Sequence, residues 1–488
     1  MLLALSAVLL LATSIVLHNG EIRLGQGSFA YRYSPLYGFR VMRALLCVPL
    51  AAAAGATVWF LAKRPSRRRT GLALLAAVAA LLVAWTWWAP PAPVLQHTFN
   101  FLSPSHDGAF VLEAKGASGA VEYLRGFNER IQAPPEQFKG TRVVSNPPGM
   151  TIIAMGATKV IPPSVESPRA IDRYALATPP NLLKRVEWAM ALRVAFASLL
   201  LWGASALFAY LLGRKFLSVP AAGVFALIVL FNPSTVLFSP GKDPAQLLTV
   251  IAMLWTGLAG WRRGSILMSA TSGALLMVGS LIGLIHMWVA FATFAAVAWH
   301  ALRTHESIAR LALRTAIPAA AGAAAVVFAC WLAMGWNPLS TLLAVQRRWT
   351  QVQPTIAVNH TLWMFIGFPI FLVFTSPAYW TTLGLNVRRL RRGDGLGRRL
   401  LICTFVTMAL TYVLGVPYEL PRLWVAFLPP LALGAMIDLP MFHGADARRV
   451  WRPLAAIVTV QVLFTALHWT MYDARESEYR LLSERLWF

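Results

Sequence analysis

The sequence is poor in charge, in acidic residues and in cysteine. Only 13% of its 488 residues are charged, 19 residues are acidic and three are cysteine. Cys47, Cys330 and Cys403 all fall inside apolar runs, so neither a disulfide framework nor a zinc finger is expected. Glycine-rich phosphate loops and His-x-x-x-His motifs are also missing. The sequence therefore contains no spacing typical of a nucleotide or metal site.

Long apolar runs make up most of the chain. Hydrophobic residues account for 58% of it, and the mean hydropathy is +0.60. A run of about 20 apolar residues is long enough for one helix to cross a bilayer, so the composition predicts an all-α polytopic membrane protein. The predicted spans are residues 1–17, 41–62, 71–88, 189–212, 219–238, 246–260, 266–283, 286–301, 316–336, 363–382, 400–416, 424–441 and 454–469.

Two of these regions of the chain have an alternative interpretation. The run 266–301 is divided at residues 283–286, because it is too long for a single crossing. Residues 1–17 fit a signal peptide as well as a span, although a basic leading region is missing. The expected number of transmembrane helices is therefore about eleven to thirteen.

The net charge of +24 reflects membrane topology. About half of the basic residues lie in alternate short loops, at Lys63, Arg64 and 67–69; Arg214 and Lys215; Arg262 and Arg263; Arg303, Arg310 and Arg314; Arg388, Arg389, Arg391, Arg392, Arg398 and Arg399; and Arg448, Arg449 and Arg452. By the positive-inside rule these loops are cytoplasmic, which places the N-terminus inside and the C-terminus outside. Most acidic residues fall on the outer side. The excess charge thus indicates topology and contact with anionic lipid, and no nucleic-acid partner is expected.

The polar motifs fall on the outer side of this topology. The large loop 89–188 contains His106-Asp107-Gly108 and the turn 145–149, in which two prolines fix φ before an apolar segment. The same loop has an amphipathic pattern at 121–131, which fits either a helix at the membrane interface or a helix packed on a small loop core. Further outer polar segments are 241–244, 286–288, 346–349, 359–360 and 417–424.

These motifs resemble those of bacterial GT-C type integral-membrane glycosyltransferases. Asp107-Gly108 followed by residues 142–149 is similar to the Asp-Gly-Ala-Tyr and Thr-His-Pro-Pro-Gly pattern of that family. Asn232-Pro233 with residues 241–244 is similar to its Pro-x-Asp turn, and residues 419–424 resemble its Glu-x-x-Arg-Leu-Trp segment before a proline-bearing helix. The resemblance covers residues 71–433. It departs from the family at Asn146, where histidine is more usual.

The resemblance implies a GT-C fold with a large extracytoplasmic first core loop that carries interfacial helices. Members of this superfamily, including protein O-mannosyltransferases, take a sugar from a polyprenyl-phosphate donor on the outer face of the membrane. The expected organisation is two N-terminal transmembrane helices in residues 1–70, upstream of the family's usual core, a transmembrane core in 71–441, and a last helix with an extracytoplasmic tail in 442–488. The implied location is the bacterial cytoplasmic membrane.

An inverting sugar transfer assigns roles to the charged residues of the outer motifs. A base must take the proton of the acceptor hydroxyl, and Asp107 is the best-placed carboxylate, with Asp243 in reserve. The departing lipid phosphate gains negative charge, so cations should surround it. The candidate cations are Arg422, Lys242, Arg142, Arg347 and Arg348. Arg422 is preferred because a guanidinium binds phosphate bidentately.

Other polar residues of these motifs are candidates for substrate binding: His106, Asn146, Asp243, His286, His360 and Glu419. Glu419 lies one helical turn before Arg422 and is expected to hold it. No cofactor is assigned, and a divalent cation stays open because Asp107 and Asp243 are the plausible hard ligands. The expected partners are a polyprenyl-phosphate sugar, an acceptor that is a lipid, glycan or protein, and membrane lipids.

Two other classes of protein share this composition. A secondary transporter or a flippase for lipid-linked sugars would have ionisable groups at mid-membrane, and the predicted spans have no Asp, Glu or Lys near their centres. An O-antigen ligase or polymerase also transfers sugars on the outer face, with arginines and a histidine in an outer loop. The pairing of Asp-Gly with Pro-Pro-Gly favours the GT-C transferase.

Overall fold

The computed structural model describes residues 47–64, 68–88, 106–133, 142–162, 185–352, 360–376, 395–414, 423–443 and 450–473, with short pieces at 23–24, 31–33, 45, 101, 183, 379–380 and 383–384. Nearly all of these residues are helical. The α-helices are α1 (Val48–Lys63), α2 (Arg68–Trp88), α3 (Gly108–Gly116), α4 (Ala120–Arg130), α5 (Arg142–Ser145), α6 (Gly149–Val160), α7 (Arg185–Gly213), α8 (Val219–Leu230), α9 (Pro233–Leu237), α10 (Asp243–Arg263), α11 (Ile266–Ser280), α12 (Ile285–Arg303), α13 (Ile308–Leu311), α14 (Ile317–Met334), α15 (Pro338–Val352), α16 (His360–Thr375), α17 (Leu396–Leu414), α18 (Leu428–Ile437) and α19 (Trp451–Met471).

Short irregular elements complete the fold. A π-helical turn at Ala312–Ala316 joins α13 to α14, and 3-10 helices lie at Trp424–Phe427 and Pro440–Phe442. Three short strands, β1 (Arg23–Leu24), β2 (Tyr31–Tyr33) and β3 (Tyr472–Asp473), form an antiparallel sheet in the order β1-β2-β3.

The fold is that of an all-α membrane protein, as the composition predicted. Five of the described helices are long and apolar enough to cross a membrane, at Glu187–Gly213, Asp243–Arg263, Ile285–Arg303, Ile308–Met334 and Leu396–Val413. Seven further apolar helical segments of 10–17 residues, counted over residues whose side chains are described, lie at Val48–Lys63, Arg69–Ala84, Gly149–Val160, Val219–Leu230, Ile266–Ser280, Trp424–Ile437 and Trp451–Ala466. The predicted span 1–17 lies outside the described residues.

The predicted division of the run 266–301 is confirmed. Helix α11 ends at Ser280 and α12 begins at Ile285, so the chain turns within the segment between them. Gly283 occupies the turn at a point where a Cβ atom would lie 1.7 Å from Nε2 of Gln246. The Gln246 side chain of α10 therefore lies directly against this turn.

The prediction of one continuous span at 219–238 is wrong. Every residue of α8 is buried, and the helix ends at Leu230 because Asn232-Pro233 interrupts it. The carbonyl oxygen of Phe231 then accepts hydrogen bonds from the side chains of Gln461 and Thr465 on α19. Polar side chains on a neighbouring helix thus satisfy the backbone where the chain breaks inside the bundle.

The basic loops meet at one end of the bundle. Arg262, at the end of α10, donates to the carbonyl of Lys215 in the loop after α7. The backbone N–H of Arg398 donates to the Asp438 carboxylate at 2.8 Å, and that of Ser218 donates to the Phe442 carbonyl at 3.0 Å. These contacts join loops that the positive-inside rule assigned to the same side. The motifs predicted to be extracytoplasmic, including Lys242 and His286, lie at the opposite ends of the same helices.

The small sheet agrees with the same topology. Strand β2 precedes α1 and pairs with β3, which directly follows α19. The start of α1 and the end of α19 must therefore lie at the same end of the molecule. The topology predicted from the charges places both segments on the outer side.

Glycines bring α11 and α14 into close contact. A Cβ atom at Gly273 would lie 1.7 Å from the carbonyl oxygen of Ala319, and one at Gly322 would lie 1.8 Å from that of Ala270. Small residues on both helices let the backbones approach, as is usual for helices that associate in lipid. The rest of the α13–α14 segment is largely exposed, which fits a helix at the lipid-facing edge.

Replacement of Gly322 by leucine should destabilise the protein by about 1–3 kcal/mol, because the added side chain forces α14 away from α11. The apparent melting temperature of the purified protein in detergent is the measurement. Ala320→Leu is the control, since Ala320 lies on the exposed face of the same helix. Equal melting temperatures for the two variants would contradict the close crossing.

The topology predicts different labelling of two exposed positions. In a cysteine-free background, a cysteine replacing Gly116 should react with a membrane-impermeant thiol reagent in intact cells. A cysteine replacing Thr304 should react only after lysis, because Thr304 lies at the basic end. The reverse pattern would mean that the basic loops are extracytoplasmic.

Candidate functional site at the end of the bundle opposite the basic loops

The Asp107 carboxylate is buried between two other motifs. Asp107 precedes the first turn of α3, and its side chain is 1% exposed. Its Oδ2 atom accepts a hydrogen bond of 2.8 Å from the backbone N–H of Lys242, and Nε of Arg142 lies 3.9 Å from its Oδ1 atom. A backbone donor and a guanidinium therefore stabilise the negative charge, as a buried carboxylate requires.

The Asn146 side chain extends this polar cluster. Its Nδ2 atom donates to the Arg142 carbonyl at 2.8 Å and to Oγ of Ser145 at 3.1 Å. Its Oδ1 atom accepts a hydrogen bond from the Lys242 ammonium. Lys242 thus binds Asp107 through its backbone and Asn146 through its side chain, which links the motifs that precede α3 and α6 to the start of α10.

The turn that contains Asn146 is held against the α11–α12 connection. Pro148 precedes α6, and the N–H of Gly149 donates to the carbonyl of Leu281 at 2.7 Å. A Cβ atom at position 149 would lie 2.4 Å from that carbonyl oxygen. Glycine is needed here because the two backbones are in contact, and the two prolines before it restrict the turn.

Ser198 on α7 fixes the loop beneath Asp107. Its hydroxyl donates to the Gly241 carbonyl at 2.7 Å and accepts from the Gly241 N–H at 3.0 Å. A Cβ atom at Gly241 would lie 2.5 Å from the Phe238 carbonyl oxygen and 3.1 Å from Oδ2 of Asp107. The loop therefore approaches the carboxylate with backbone alone. Asp243, the next acid in the motif, is buried in the first turn of α10.

His286 lies next to this cluster at the start of α12. Its Nδ1 atom is 2.8 Å from the Gly283 carbonyl oxygen, to which it donates, and its Nε2 atom is 2.7 Å from Oγ1 of Thr249. The side chain is completely buried. A Cβ atom at Gly279 would lie 2.3 Å from the imidazole, so the glycine leaves the space that His286 occupies.

The amphipathic helix predicted at 121–131 is confirmed as α4, and it packs on protein. Phe127 and Ile131 on its apolar face pack with Val345 of α15. The contact is reinforced at both ends: Arg125 donates to the carbonyl of Met334, and Arg348 donates to that of Ala133 at 3.0 Å.

Ion pairs hold α3 in place beside the cluster. Arg130 of α4 binds both carboxylate oxygens of Glu113, at 2.8 and 3.3 Å, and Lys115 binds Glu187 at the start of α7 at 3.1 Å. The hydrogen bond to Glu113 raises the pKa of Arg130. Burial raises the pKa of Tyr123 well above its usual range, so this phenol stays neutral and contacts Oγ1 of Thr151 on α6.

The structure brings some of the predicted site residues together and not others. Asp107, Arg142, Asn146 and Lys242 share one cluster, and His106 and Asp243 are next to its members in the chain. Arg348 binds a backbone carbonyl and Arg347 is exposed on α15. His360 begins α16, and its side chain is outside the described part of the structure, as are Glu419 and Arg422.

Some residues of the cluster carried no sequence signal. Ser198 and Thr249 are small polar residues within long apolar helices, where serine and threonine usually bond to their own helix. Their role depends on which loop the fold brings to them. Gly241 did carry a sequence signal. It lies between Pro240 and the charged pair Lys242-Asp243, and a glycine in such a position indicates a close approach of backbones.

The described residues contain no cluster suited to a metal ion. Among them, no group of three or more His, Cys, Asp or Glu side chains lies close together. The Asp107 carboxylate is instead bonded to an N–H group and lies beside a guanidinium.

No model of a known protein family matches this sequence, and no characterised protein matches it. What the fold and the site define is a polytopic helical membrane protein with a buried acid-base cluster at one end. The chemistry of the site is therefore inferred from its own residues.

Replacement of Ser198 by alanine should destabilise the protein by about 1–3 kcal/mol, because the buried N–H and C=O of Gly241 both lose a partner. Ser205→Ala is the matched control on α7. Ser205 is also buried, but its hydroxyl donates only to the Trp202 carbonyl of its own helix, so this change should cost about 1 kcal/mol or less. Thermal unfolding in detergent measures both. A smaller loss for Ser198→Ala than for Ser205→Ala would show that Ser198 does not hold the loop.

Proposed function

We propose that the chain is a GT-C type membrane glycosyltransferase that transfers a sugar from a polyprenyl-phosphate donor to an acceptor hydroxyl on the extracytoplasmic face of the bacterial cytoplasmic membrane. The observation that carries this proposal is the meeting of three separate motifs around one buried carboxylate. Asp107, the Arg142–Asn146 segment and Lys242 come from distant parts of the sequence. Their convergence at the end opposite the basic loops supports a reactive site on the outer side.

Asp107 acts as the general base in this reaction. It takes the proton of the acceptor hydroxyl while that oxygen forms a bond to the anomeric carbon of the sugar. The bond from this carbon to the phosphate oxygen breaks, and the polyprenyl phosphate leaves with an added negative charge. Attack from the face opposite the leaving group inverts the anomeric configuration. The hydrogen bond from Lys242 to Oδ2 orients the carboxylate and leaves Oδ1 on the side of Arg142.

Arg142 and Lys242 are the cations assigned to the departing phosphate. Arg142 is the better placed of the two, because its side chain is 15% exposed while Lys242 is buried. Fixed cations that face the developing charge stabilise the transition state more than the ground state. Arg422, Arg347 and Arg348 stay assigned to the donor headgroup by the sequence motifs alone.

The asparagine at position 146 suits this arrangement. Its amide oxygen accepts a hydrogen bond from the Lys242 ammonium. A protonated histidine at this position would place a second positive charge beside the lysine, at a cost in a buried site. The departure from the motif of the related family is thus matched by the lysine that contacts it.

The acceptor reaches Asp107 from the side of Arg142 and His106. Lys242, Asn146 and Asp243 are buried, whereas His106 and Arg142 are partly exposed. Binding of the donor phosphate by Arg142 would draw the guanidinium from the carboxylate and free Oδ1 for the acceptor. Arg142 would thus bind the donor phosphate and, by the same movement, expose the Asp107 carboxylate.

The distribution of charge favours a transferase over a transporter. Some of the described helices are apolar enough to lie in a membrane, by their length and hydropathy. In these helices, every Asp, Glu and Lys lies in a first or last turn. Transporters for charged substrates usually place such groups near mid-membrane.

The proposed enzyme has about eleven to thirteen transmembrane helices and a large extracytoplasmic first core loop. Its acceptor is a lipid, a glycan or a protein.

Asp107→Asn should lower the transfer rate by about a hundred- to ten-thousand-fold, because an amide cannot take up the acceptor's proton. The assay uses reconstituted protein with a polyprenyl-phosphate sugar on its outer face, and it measures the release of polyprenyl phosphate. Glu129→Gln is the control, since Glu129 is an exposed carboxylate on α4.

The assay also separates the proposal from its alternatives. Wild-type turnover in the Asp107→Asn variant would move the base to Asp243 or indicate a different reaction. Translocation of intact donor without release of polyprenyl phosphate would instead identify a flippase.

A further inference from the structure

A surface groove of about 560 Å³ runs between α1 and α19. Small residues form its floor, among them Gly55 and Ala52 from α1 and Ala455 from α19, and Trp59 and Trp451 lie at one end. The groove follows α1 from Val48 to Trp59, a length of about 16 Å at 1.5 Å per residue. This is about half the thickness of a bilayer's hydrocarbon core, and so about one leaflet.

The lining of the groove suits a hydrocarbon chain. Its polar side chain, Thr459, donates its hydroxyl to the Ala455 carbonyl of its own helix at 2.9 Å. The remaining residues are alanine, glycine, valine, leucine and tryptophan. A ligand in this groove would therefore gain contact with apolar surface, and it would find few groups there with which to form hydrogen bonds.

The end of the groove that carries the tryptophans is positively charged. Helix α1 ends at Lys63, which is followed by Arg64, and both residues are exposed. Helix α19 begins there with Trp451 and the exposed Arg452, whose guanidinium lies 5.6 Å from the centre of the Trp451 ring. Tryptophan and basic residues together are typical of the headgroup level of a membrane.

We propose that this groove binds one anionic phospholipid from the leaflet at the basic end of the protein. One acyl chain lies along Ala52, Gly55 and Ala455, and the phosphate contacts Arg452 and the Lys63-Arg64 pair. The match of one leaflet in length with a charged rim at a single end favours a lipid over a helix from a second copy, which would contact both leaflets. The inference concerns the α1–α19 pair and is independent of the sugar-transfer reaction.

Native mass spectrometry of the purified full chain tests this site. The probes are phosphatidylglycerol and phosphatidylcholine with identical acyl chains, and the oligomeric state is read from the same spectra. Wild-type protein should bind phosphatidylglycerol about fivefold or more tightly than phosphatidylcholine. Gly55→Leu should weaken the binding of both lipids about tenfold by filling the groove, because a Cβ atom at Gly55 has its nearest contact, Oγ1 of Thr459, at 3.7 Å. Arg452→Gln should weaken the binding of phosphatidylglycerol alone, by about fivefold.

Matched controls distinguish the groove from general effects on the protein. Gly156→Leu adds the same side chain at a helical position with nothing within 4 Å of its Cβ atom, and Arg263→Gln removes an exposed charge from the basic end of α10, outside the groove. Both should bind lipid like wild type. If Gly55→Leu does not fold, Ala52→Leu fills the same groove from an exposed position. Equal binding of the two lipids by wild type, or wild-type affinity in the filled variant, would overturn the proposal. A wild-type dimer that Gly55→Leu separates would also overturn it, because the groove would then hold a second copy.

Discussion

The hydrogen bond from the Lys242 backbone to the Asp107 carboxylate connects the start of α3 to the start of α10. A buried carboxylate is costly unless donors surround it, so Asp107 can stay buried only while the 238–242 loop presents its N–H group. That loop is in turn held by Ser198, and the Lys242 side chain holds Asn146. The positions of α3, α5 and α10 therefore depend on one another through a single charge.

Much of the helical fold follows from the sequence. Apolar runs locate the helices, and the division of the 266–301 run follows from length, because one crossing cannot contain it. The break after α8 was missed, since Asn232-Pro233 lies within an apolar run whose composition alone favours continuation. Recognition of the break depends on knowing that Gln461 and Thr465 reach the freed carbonyl of Phe231 from far along the chain. The three-stranded sheet was also missed, because such short strands have no periodicity of their own.

Only part of the candidate site could be predicted from the sequence, because its contacts also join distant parts of the chain. Asp107, Arg142, Asn146 and Lys242 stand out as charged or polar residues beside prolines and glycines, and the structure joins them across as many as 135 positions of sequence. Ser198 could not be found, because a serine in an apolar helix gives no sign of which loop it will meet. Arg348 shows the opposite difficulty, since the guanidinium that the sequence assigned to the donor phosphate is bonded to the backbone of Ala133. Individual roles at this site depend on neighbours that only the folded chain supplies.

The interruption between α8 and α10 determines what the floor of the site is made of. Helix α8 has twelve residues, so it rises about 18 Å, well short of a hydrocarbon core of about 30 Å. The chain covers part of the remaining depth as turns and loop, and the polar groups beneath Asp107 are consequently main-chain groups such as those of Gly241. Main-chain groups present the same donors and acceptors whatever side chains surround them. Substitutions in α3 to α6 should therefore change the side chains around Asp107, while the hydrogen-bonding pattern of this floor stays constant.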